Sequence, residues 1–224
     1  YRQTSDINAE QRLHDPHNNL LSAWTPRRHT DEVVRDSLLS LSGRLHAPFF
    51  GSPSPVHPQA DGSVITADDA AGTRRSVYVQ ARRTRTLGML ETFDAPSMME
   101  CNCNERPSTT VSPQSLLLMN NGSMCEFAQH LATRLRHESA NDVPAQVRRA
   151  FRLCYSRQAS DAEVNQGVQF VRQQTEYYQA HPAPLEQDSG PVSTAPRPNA
   201  DPALLGLTAL CHALMSANEF LYID

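Results

Sequence analysis

The sequence predicts a mainly α fold, in which a helical domain carries one short β-hairpin and long proline-rich loops. Apolar residues recur at spacings of three and four positions over several stretches, as they do on one face of a helix. Serine, threonine or aspartate stands at the start of most of these stretches, where helices are capped. Many of the 16 prolines lie between the stretches, where they exclude helix.

The first long helix is predicted to begin after Thr30, whose hydroxyl can cap it, and to weaken or end near Gly43. Its apolar residues follow one another at spacings of four, three and four positions: Val34, Leu38, Leu41 and Leu45. This pattern indicates an amphipathic helix of about four turns. Residues 48–62 hold four prolines and two glycines, which exclude a helix there.

Two short β-prone runs predict the hairpin. Residues 64–66 and residues 76–79 are rich in valine, isoleucine and tyrosine. They flank residues 68–72, where two aspartates and a glycine favour a turn. The sequence therefore predicts that these two runs pair with each other.

Five more helices are predicted from a capping residue or an apolar face. The first follows Ser112 and Pro113 and carries Leu116, Leu117 and Met119; the second is capped by Ser123 and carries Met124, Phe127, Leu131 and Leu135; the third carries Val143, Val147, Phe151 and Cys154; the fourth is capped by Ser160 and carries Val164, Val168 and Val171; the fifth follows Asp201 and Pro202 and carries Leu204, Leu207, Cys211, Leu214 and Asn218. The third and fourth predict an antiparallel helical hairpin. We expect one domain over residues 1–224, with a mobile proline-rich insertion at residues 180–202.

The composition excludes several classes of function. The net charge of −4 is spread evenly along the chain, so nucleic acid is not expected as a principal partner. Every basic residue is an arginine, which excludes Schiff-base and P-loop lysine chemistry. No apolar run approaches the roughly 20 residues that cross a bilayer, so no membrane span is predicted. The chain opens on Tyr1 rather than on methionine, so we expect it to be part of a longer polypeptide.

Seven segments share residue patterns with one protein family, in the family's order and over the whole chain. They are residues 1–5, 15–21, 34–45, 74–79, 93–96, 108–120 and 210–222. Together they resemble the planctomycete-type C-terminal domain called domain of unknown function 1553. Because Tyr1 matches the interior of that domain, the resemblance implies that the start of the domain is missing from this sequence. Residues 180–202 look like an insertion, and Cys101 is an extra thiol beside Cys103, which matches a position where the family often has cysteine.

The resemblance implies a place in a larger protein rather than a reaction. Members form the C-terminal part of large exported bacterial proteins, in which a haem-binding cytochrome-like domain and a second domain of unknown function often come first. The implied location is therefore periplasmic or on the cell surface, and the implied partners are the preceding domains of the same polypeptide. The family brings no established activity with it.

Cysteine and histidine pairs are the candidate metal sites. Cys101 and Cys103 could ligate zinc, but their spacing is not that of zinc knuckles, and buried thiols or a disulfide are the alternatives. His14 and His17 flank a carboxylate and a proline, which equally describes an exposed turn. No Cys-x-x-Cys-His string occurs, so no haem is attached here, and no cofactor is predicted for this segment. Cys211 precedes a histidine, but neighbours on a helix point in different directions and cannot form a nucleophile–base pair.

Arginines around the predicted hairpin form the first candidate ligand site. Arg74 and Arg75, with Arg82, Arg83 and Arg85, could hold a carboxylated or sulfated ligand through bidentate contacts. The alternative is a strand edge that its charges protect from aggregation.

The start of the helix at Ser112 is the second candidate ligand site. Arg106, Gln114 and Asn120 are predicted to lie near this helix start, which favours anions. Helix capping and turn hydrogen bonds would explain the same residues. Asp94 is included as a candidate, although its position before Ala95 and Pro96 also fits a turn.

We therefore predict a non-catalytic interaction or structural module at the C-terminus of an exported multidomain protein, with no catalytic residue. The alternative is an enzyme component or binding domain for an anionic polysaccharide, sulfated or uronic. In that case Arg74, Arg75 and Arg106 would bind the substrate, and Asp94 or Asp36 would take part in the reaction. A redox site at the two cysteines of residues 101–103 is a third hypothesis.

Overall fold

The computed structural model describes residues 4–60, 62–82, 85–96, 108–140, 142–181 and 201–223. These residues form mostly helices, with two antiparallel two-stranded sheets, so the predicted mainly α class is confirmed. The helices are α1 (Ala9–His14), α2 (Asp31–Leu41), α3 (Gly88–Thr92), α4 (Ser112–Asn120), α5 (Gly122–Ser139), α6 (Val143–Tyr155), α7 (Asp161–Ala180), α8 (Pro202–Met215) and α9 (Asn218–Leu221). The strands are β1 (Arg27–Arg28), β2 (Val56–Pro58), β3 (Val64–Thr66) and β4 (Tyr222–Ile223).

The core lies where α5, α6, α7 and α8 meet. Helix α8 packs against both α5 and α7, and α2 packs on the outside of α5. The apolar faces predicted for these helices are the buried ones: Leu38, Met124, Leu131, Leu135, Val147, Leu207 and Cys211 are at most 2% exposed. The spacing argument therefore located the core correctly, because burial of an amphipathic face is what holds each helix in place.

Helices α6 and α7 form the predicted antiparallel hairpin. Helix α6 ends at Tyr155 and is capped by Ser156, which adopts a left-handed conformation with φ of 57°, and the chain reverses there. Ser160 and Glu163 form the predicted capping box, in which the Glu163 carboxylate accepts from the Ser160 amide at 2.7 Å. Arg157 bridges Glu163 and Glu219, so it fixes the turn of this hairpin to α9.

The caps of α4 and α5 differ from the prediction by one or two residues. Val111 precedes α4, so Ser112 and Pro113 are already inside its first turn, where proline is tolerated. Asn121 rather than Ser123 caps α5, because the Asn121 side chain accepts from the Ser123 amide at 2.9 Å. Two of the three apolar residues predicted for α4 are exposed, Leu116 and Met119, whereas its buried residues are Gln114 and Leu118.

The predicted pairing of residues 64–66 with residues 76–79 is wrong. Strand β3 pairs with β2, which precedes it, through a turn closed by the Gln59 amide and the Ser63 carbonyl at 2.7 Å. Residues Ser76–Tyr78 form a single 3-10 turn instead of a strand. Between the two runs the Asp69 carboxylate accepts from the amides of Ala71 and Gly72, so the predicted turn forms although the two runs do not pair across it. The sheet formed by β1 and β4 was not predicted.

Several predicted features lie wholly or partly outside the described residues. These are Cys101, Cys103, Arg83, Arg106 and most of the predicted insertion at residues 180–202. The face predicted for the last helix reaches Asn218, but α8 ends at Met215 and Asn218 begins α9. Within the part of the chain that the structure describes, no helix combines the length and the hydropathy needed to span a membrane.

Candidate functional site

Arg74, the first of the predicted ligand-binding arginines, is buried. Only 6% of it is exposed, and its guanidinium stacks on the Tyr78 ring, 4.0 Å from the ring centre. Its two terminal nitrogens donate to the carbonyls of Ser52, at 2.6 Å, and Phe50. The planar fork of this arginine therefore fastens the loop at residues 46–53 to the 3-10 turn.

A second buried arginine, which the sequence analysis did not single out, lies beneath the first. Arg35 is 4% exposed and projects from α2 to donate to the carbonyls of Gly72, at 2.6 Å, and Arg74, at 2.9 Å. It also donates to the Ser76 hydroxyl at 3.2 Å. Burial lowers the pKa of Arg35 to about 10, so it stays cationic near neutrality. The available signal was that this charged residue lies next to Val34, at the edge of the predicted apolar face of the helix.

Asp36 and Arg75 form the exposed edge of this cluster. One carboxylate oxygen of Asp36 accepts from the amide and the hydroxyl of Ser76, at 2.6 and 2.7 Å. The other accepts from the Arg75 side chain at 3.1 Å. Because the Arg75 side chain is 57% exposed, it can reach a ligand, whereas Arg74 is buried and both of its terminal nitrogens donate inside the chain.

Asp36 and Arg75 also stand at the rim of an open groove of about 490 Å³ between α2, the end of α6 and α9. Its other polar side chains are His29, Glu32, Ser37, Ser40, Cys154 and Ser156, and its apolar ones are Val33, Leu41, Leu45, Leu153 and Phe220. Burial lowers the pKa of His29 and raises the pKa of the Cys154 thiol to about 12. A thiol that stays protonated near neutrality is a poor nucleophile, so this groove is suited to binding rather than to thiol chemistry.

Asp94 and Gln114 belong to a separate cluster at the start of α4. Asp94 accepts from Arg28 at 2.6 Å and from the amide and hydroxyl of Thr109, both at 2.7 Å. Burial disfavours the carboxylate, but the Thr109 hydrogen bonds and the Arg28 charge outweigh it, so the pKa of Asp94 lies below its ordinary value. Asp94 therefore ties β1 and residues 108–111 together.

Gln114 spans the start of α4 from within. It is 3% exposed, donates to the Thr92 carbonyl at 3.1 Å and accepts from the Val111 amide at 3.4 Å. Asn120 is exposed at the opposite end of α4, about 12 Å along the helix axis from Ser112 at 1.5 Å per residue. Of the candidates for an anion site at this helix start, the structure thus brings Gln114 there and leaves Asn120 at the far end.

The most exposed large apolar side chains of the described residues include a pair that the sequence analysis missed. Phe49 is 79% exposed and Phe50 is 85% exposed, and Val77 on the adjacent 3-10 turn is 72% exposed. Both phenylalanines lie in residues 46–53, which we call the Phe loop. The signal was a run of 16 residues, 45–60, that contains no charged side chain.

Backbone contacts hold the Phe loop at both ends. The His46 amide donates to the Thr73 carbonyl at 3.1 Å, and the Ser54 amide donates to the Tyr78 carbonyl at 2.7 Å. Between them, the Phe50 amide donates to the Tyr78 hydroxyl at 3.2 Å. The loop is therefore fixed along its base while its two aromatic side chains face solvent.

The structure does not gather metal ligands among the residues that it describes. No group of three or more histidine, cysteine, aspartate or glutamate side chains is close enough there to hold an ion. Between His14 and His17, the Asp15 carboxylate accepts from the amides of Asn19 and Leu20 at 2.8 and 2.7 Å, as in a turn. The predicted thiol ligands at 101 and 103 lie outside the described residues.

Comparison with known proteins gives a family and no more. No curated protein and no solved structure matches the chain. The model of a family described as PSD1, protein of unknown function (DUF1553), matches residues 1–171, which is well over half of the chain. The resemblance found in the sequence is thereby confirmed: the chain belongs to the DUF1553 family.

Proposed function

We propose that this chain is a non-catalytic interaction module of an exported multidomain protein, and that the Phe loop is its contact surface. The observation that carries the proposal is the pair of exposed phenylalanines on a base that Arg74 fixes. Exposed apolar clusters on a folded protein mark contact surfaces, and aromatic side chains supply much of the energy of such contacts. A loop that is already ordered loses little conformational entropy when it binds.

The placement of the candidate carboxylates supports a non-catalytic role. Asp36 and Asp94 each accept three hydrogen bonds from their own chain. A general acid needs a pKa near the working pH and a free path to the substrate. The lowered pKa of Asp94 moves it away from that range, and its neighbours occupy both of its oxygens.

The wider setting in this proposal comes from the family resemblance. It consists of a planctomycete-type exported protein, cytochrome-like domains that precede this segment, and association with those domains or with the cell surface. This segment itself is proposed to need no cofactor.

The test compares the wild-type chain with the double variant Phe49→Ser/Phe50→Ser. Calorimetry would measure association with the separately produced preceding domains of the same polypeptide. We expect saturable binding that the double variant weakens at least tenfold, since each ring contributes more than 1 kcal/mol when buried. The matched control is Leu13→Ser/Leu20→Ser, which removes two equally exposed apolar side chains elsewhere. Binding that both double variants weaken equally would refute the role of the Phe loop.

A second function has a specific observation in its favour. Residues 70–90 contain five arginines and no acidic residue, and Arg75, Arg82 and Arg85 are exposed. These could bind a sulfated or uronic polysaccharide through charge-assisted hydrogen bonds. A thermal shift with a sulfated oligosaccharide that Arg75→Ala abolishes would favour this function, and no shift would count against it.

A further inference from the structure

Two neighbouring surfaces of this protein have complementary chemistry. The Phe loop lies in a run of 16 residues without charge and exposes two phenylalanine rings. Residues 70–90 contain five arginines and no acidic residue, and Arg75, Arg82 and Arg85 among them are exposed. An exposed apolar loop beside a cationic segment is the combination by which a protein binds an interface that is apolar inside and anionic at its surface.

The two surfaces are joined at the base of the Phe loop. Arg74, itself within the cationic segment, holds the carbonyls of Phe50 and Ser52. Past this contact, the Gln80 amide donates to the Ser54 carbonyl at 2.9 Å, which places the start of the exposed arginine run beside the end of the loop. The backbone that carries the rings is therefore fixed beside the exposed arginines.

We propose that the Phe loop inserts into the interface of a lipid bilayer, while the arginine flank contacts anionic head groups. This inference rests on the proposed function and names the partner of the same surface. The two rings and Val77 bury apolar area among the acyl chains, and Arg82 and Arg85 pair with phosphate oxygens. The phenylalanine side chain has no polar atom, so both rings can enter the acyl chains without desolvating a hydrogen-bonding group.

The arginine flank and the Phe loop make separate contributions to the binding of a membrane. Each arginine near an anionic surface raises binding about fivefold, and salt screens this contribution. Burial of each ring raises binding about tenfold or more and is not screened. Binding should therefore need both anionic lipid and the two rings.

The experiment is co-sedimentation of the whole chain with phosphatidylcholine vesicles that contain or lack phosphatidylglycerol. Four proteins are compared: the wild type, Phe49→Ser/Phe50→Ser, Arg82→Ala/Arg85→Ala, and the control Leu13→Ser/Leu20→Ser, whose exposed leucines lie elsewhere. Thermal unfolding of each variant would test whether it keeps the fold. All substituted side chains are exposed, so the variants are expected to fold.

The expected result is binding to the anionic vesicles that the phenylalanine variant weakens at least tenfold. The arginine variant should also bind more weakly and respond less to salt, and the leucine control should match the wild type. No binding to anionic vesicles, or binding that the phenylalanine variant leaves unchanged, overturns the inference. Equal binding to both kinds of vesicle overturns it as well. If vesicles are not bound but a preceding domain is bound through the Phe loop, the inference fails and the proposed function stands.

Discussion

Replacement of Gly206 by alanine tests how closely α7 and α8 approach each other. A Cβ atom at this position would lie 2.5 Å from the Thr175 hydroxyl and 2.7 Å from the Val171 carbonyl oxygen. Both distances are shorter than van der Waals contact. The Thr175 hydroxyl donates to the same Val171 carbonyl at 2.7 Å, so neither atom can move without disturbing this bond.

The size of the effect follows from two opposing contributions. Alanine is favoured over glycine inside a helix by about 1 kcal/mol. Overpacking of a tight contact costs about 1–3 kcal/mol, and the upper part of this range, about 2–3 kcal/mol, applies here because one of the two contacted atoms is a backbone oxygen, which cannot rotate away. We expect a net loss of about 1–2 kcal/mol in the free energy of unfolding. In a chain of this length that lowers the Tm by about 2–8 °C.

Urea and thermal unfolding, followed by far-ultraviolet circular dichroism, would measure the change. Gly88→Ala is the matched control, because its Cβ would meet nothing closer than the Val64 carbonyl oxygen at 3.7 Å. The control should be neutral or slightly stabilising. If Gly206→Ala were as stable as the control, the close approach of α7 and α8 would be refuted.

Three further predictions concern buried or half-buried polar groups. Arg35→Met should lower the free energy of unfolding, measured by urea titration, by about 2–4 kcal/mol, because it leaves two buried carbonyls without a donor. The control Arg82→Met, at an exposed position, should change it by less than about 0.5 kcal/mol. The lowered pKa of Asp94 contributes stability that is present above its unfolded value of 3.8 and is lost as the pH falls through the folded value. Asp94→Asn should remove that part of the pH dependence of the free energy of unfolding. If the free energy of unfolding of the variant fell between pH 6 and pH 2 as steeply as that of the wild type, the prediction would be contradicted. Thiol reagents at pH 8 should label Cys154 far more slowly in the folded than in the unfolded chain, because burial raises its pKa to about 12.

The helices could be predicted because their signals are local. In α6 and α7, the apolar spacing and the capping box at Ser160 act over a few neighbouring residues, and the structure has both. The errors at α4 and α5 have the same local character. Two candidate caps, Asn121 and Ser123, stand two residues apart, and the amide side chain takes the position.

The strand pairing and the candidate site could not be predicted in the same way. Turns form both before and after β3, so the turn residues alone did not show which neighbouring run would pair with it. The ion pair of Arg28 with Asp94 joins positions 66 residues apart, and β1 pairs with β4 across almost the whole chain. Such contacts arise from the packing of the helices and leave no periodic pattern in the sequence.

The absence of lysine has a structural counterpart in how the loops are held. Arg28, Arg35, Arg74 and Arg134 each donate to at least one main-chain carbonyl in a loop or at a helix end. Arg35 and Arg74 each grip two carbonyls from one guanidinium, as its planar fork of donors allows, whereas a compact ammonium presents no such fork. The arginines predicted to bind a ligand thus have two different roles in the structure. The buried Arg74 fixes the backbone of the Phe loop. The exposed Arg75, Arg82 and Arg85 lie at the surface beside the loop. The rigidity of the loop and its cationic flank therefore both come from residues 74–85.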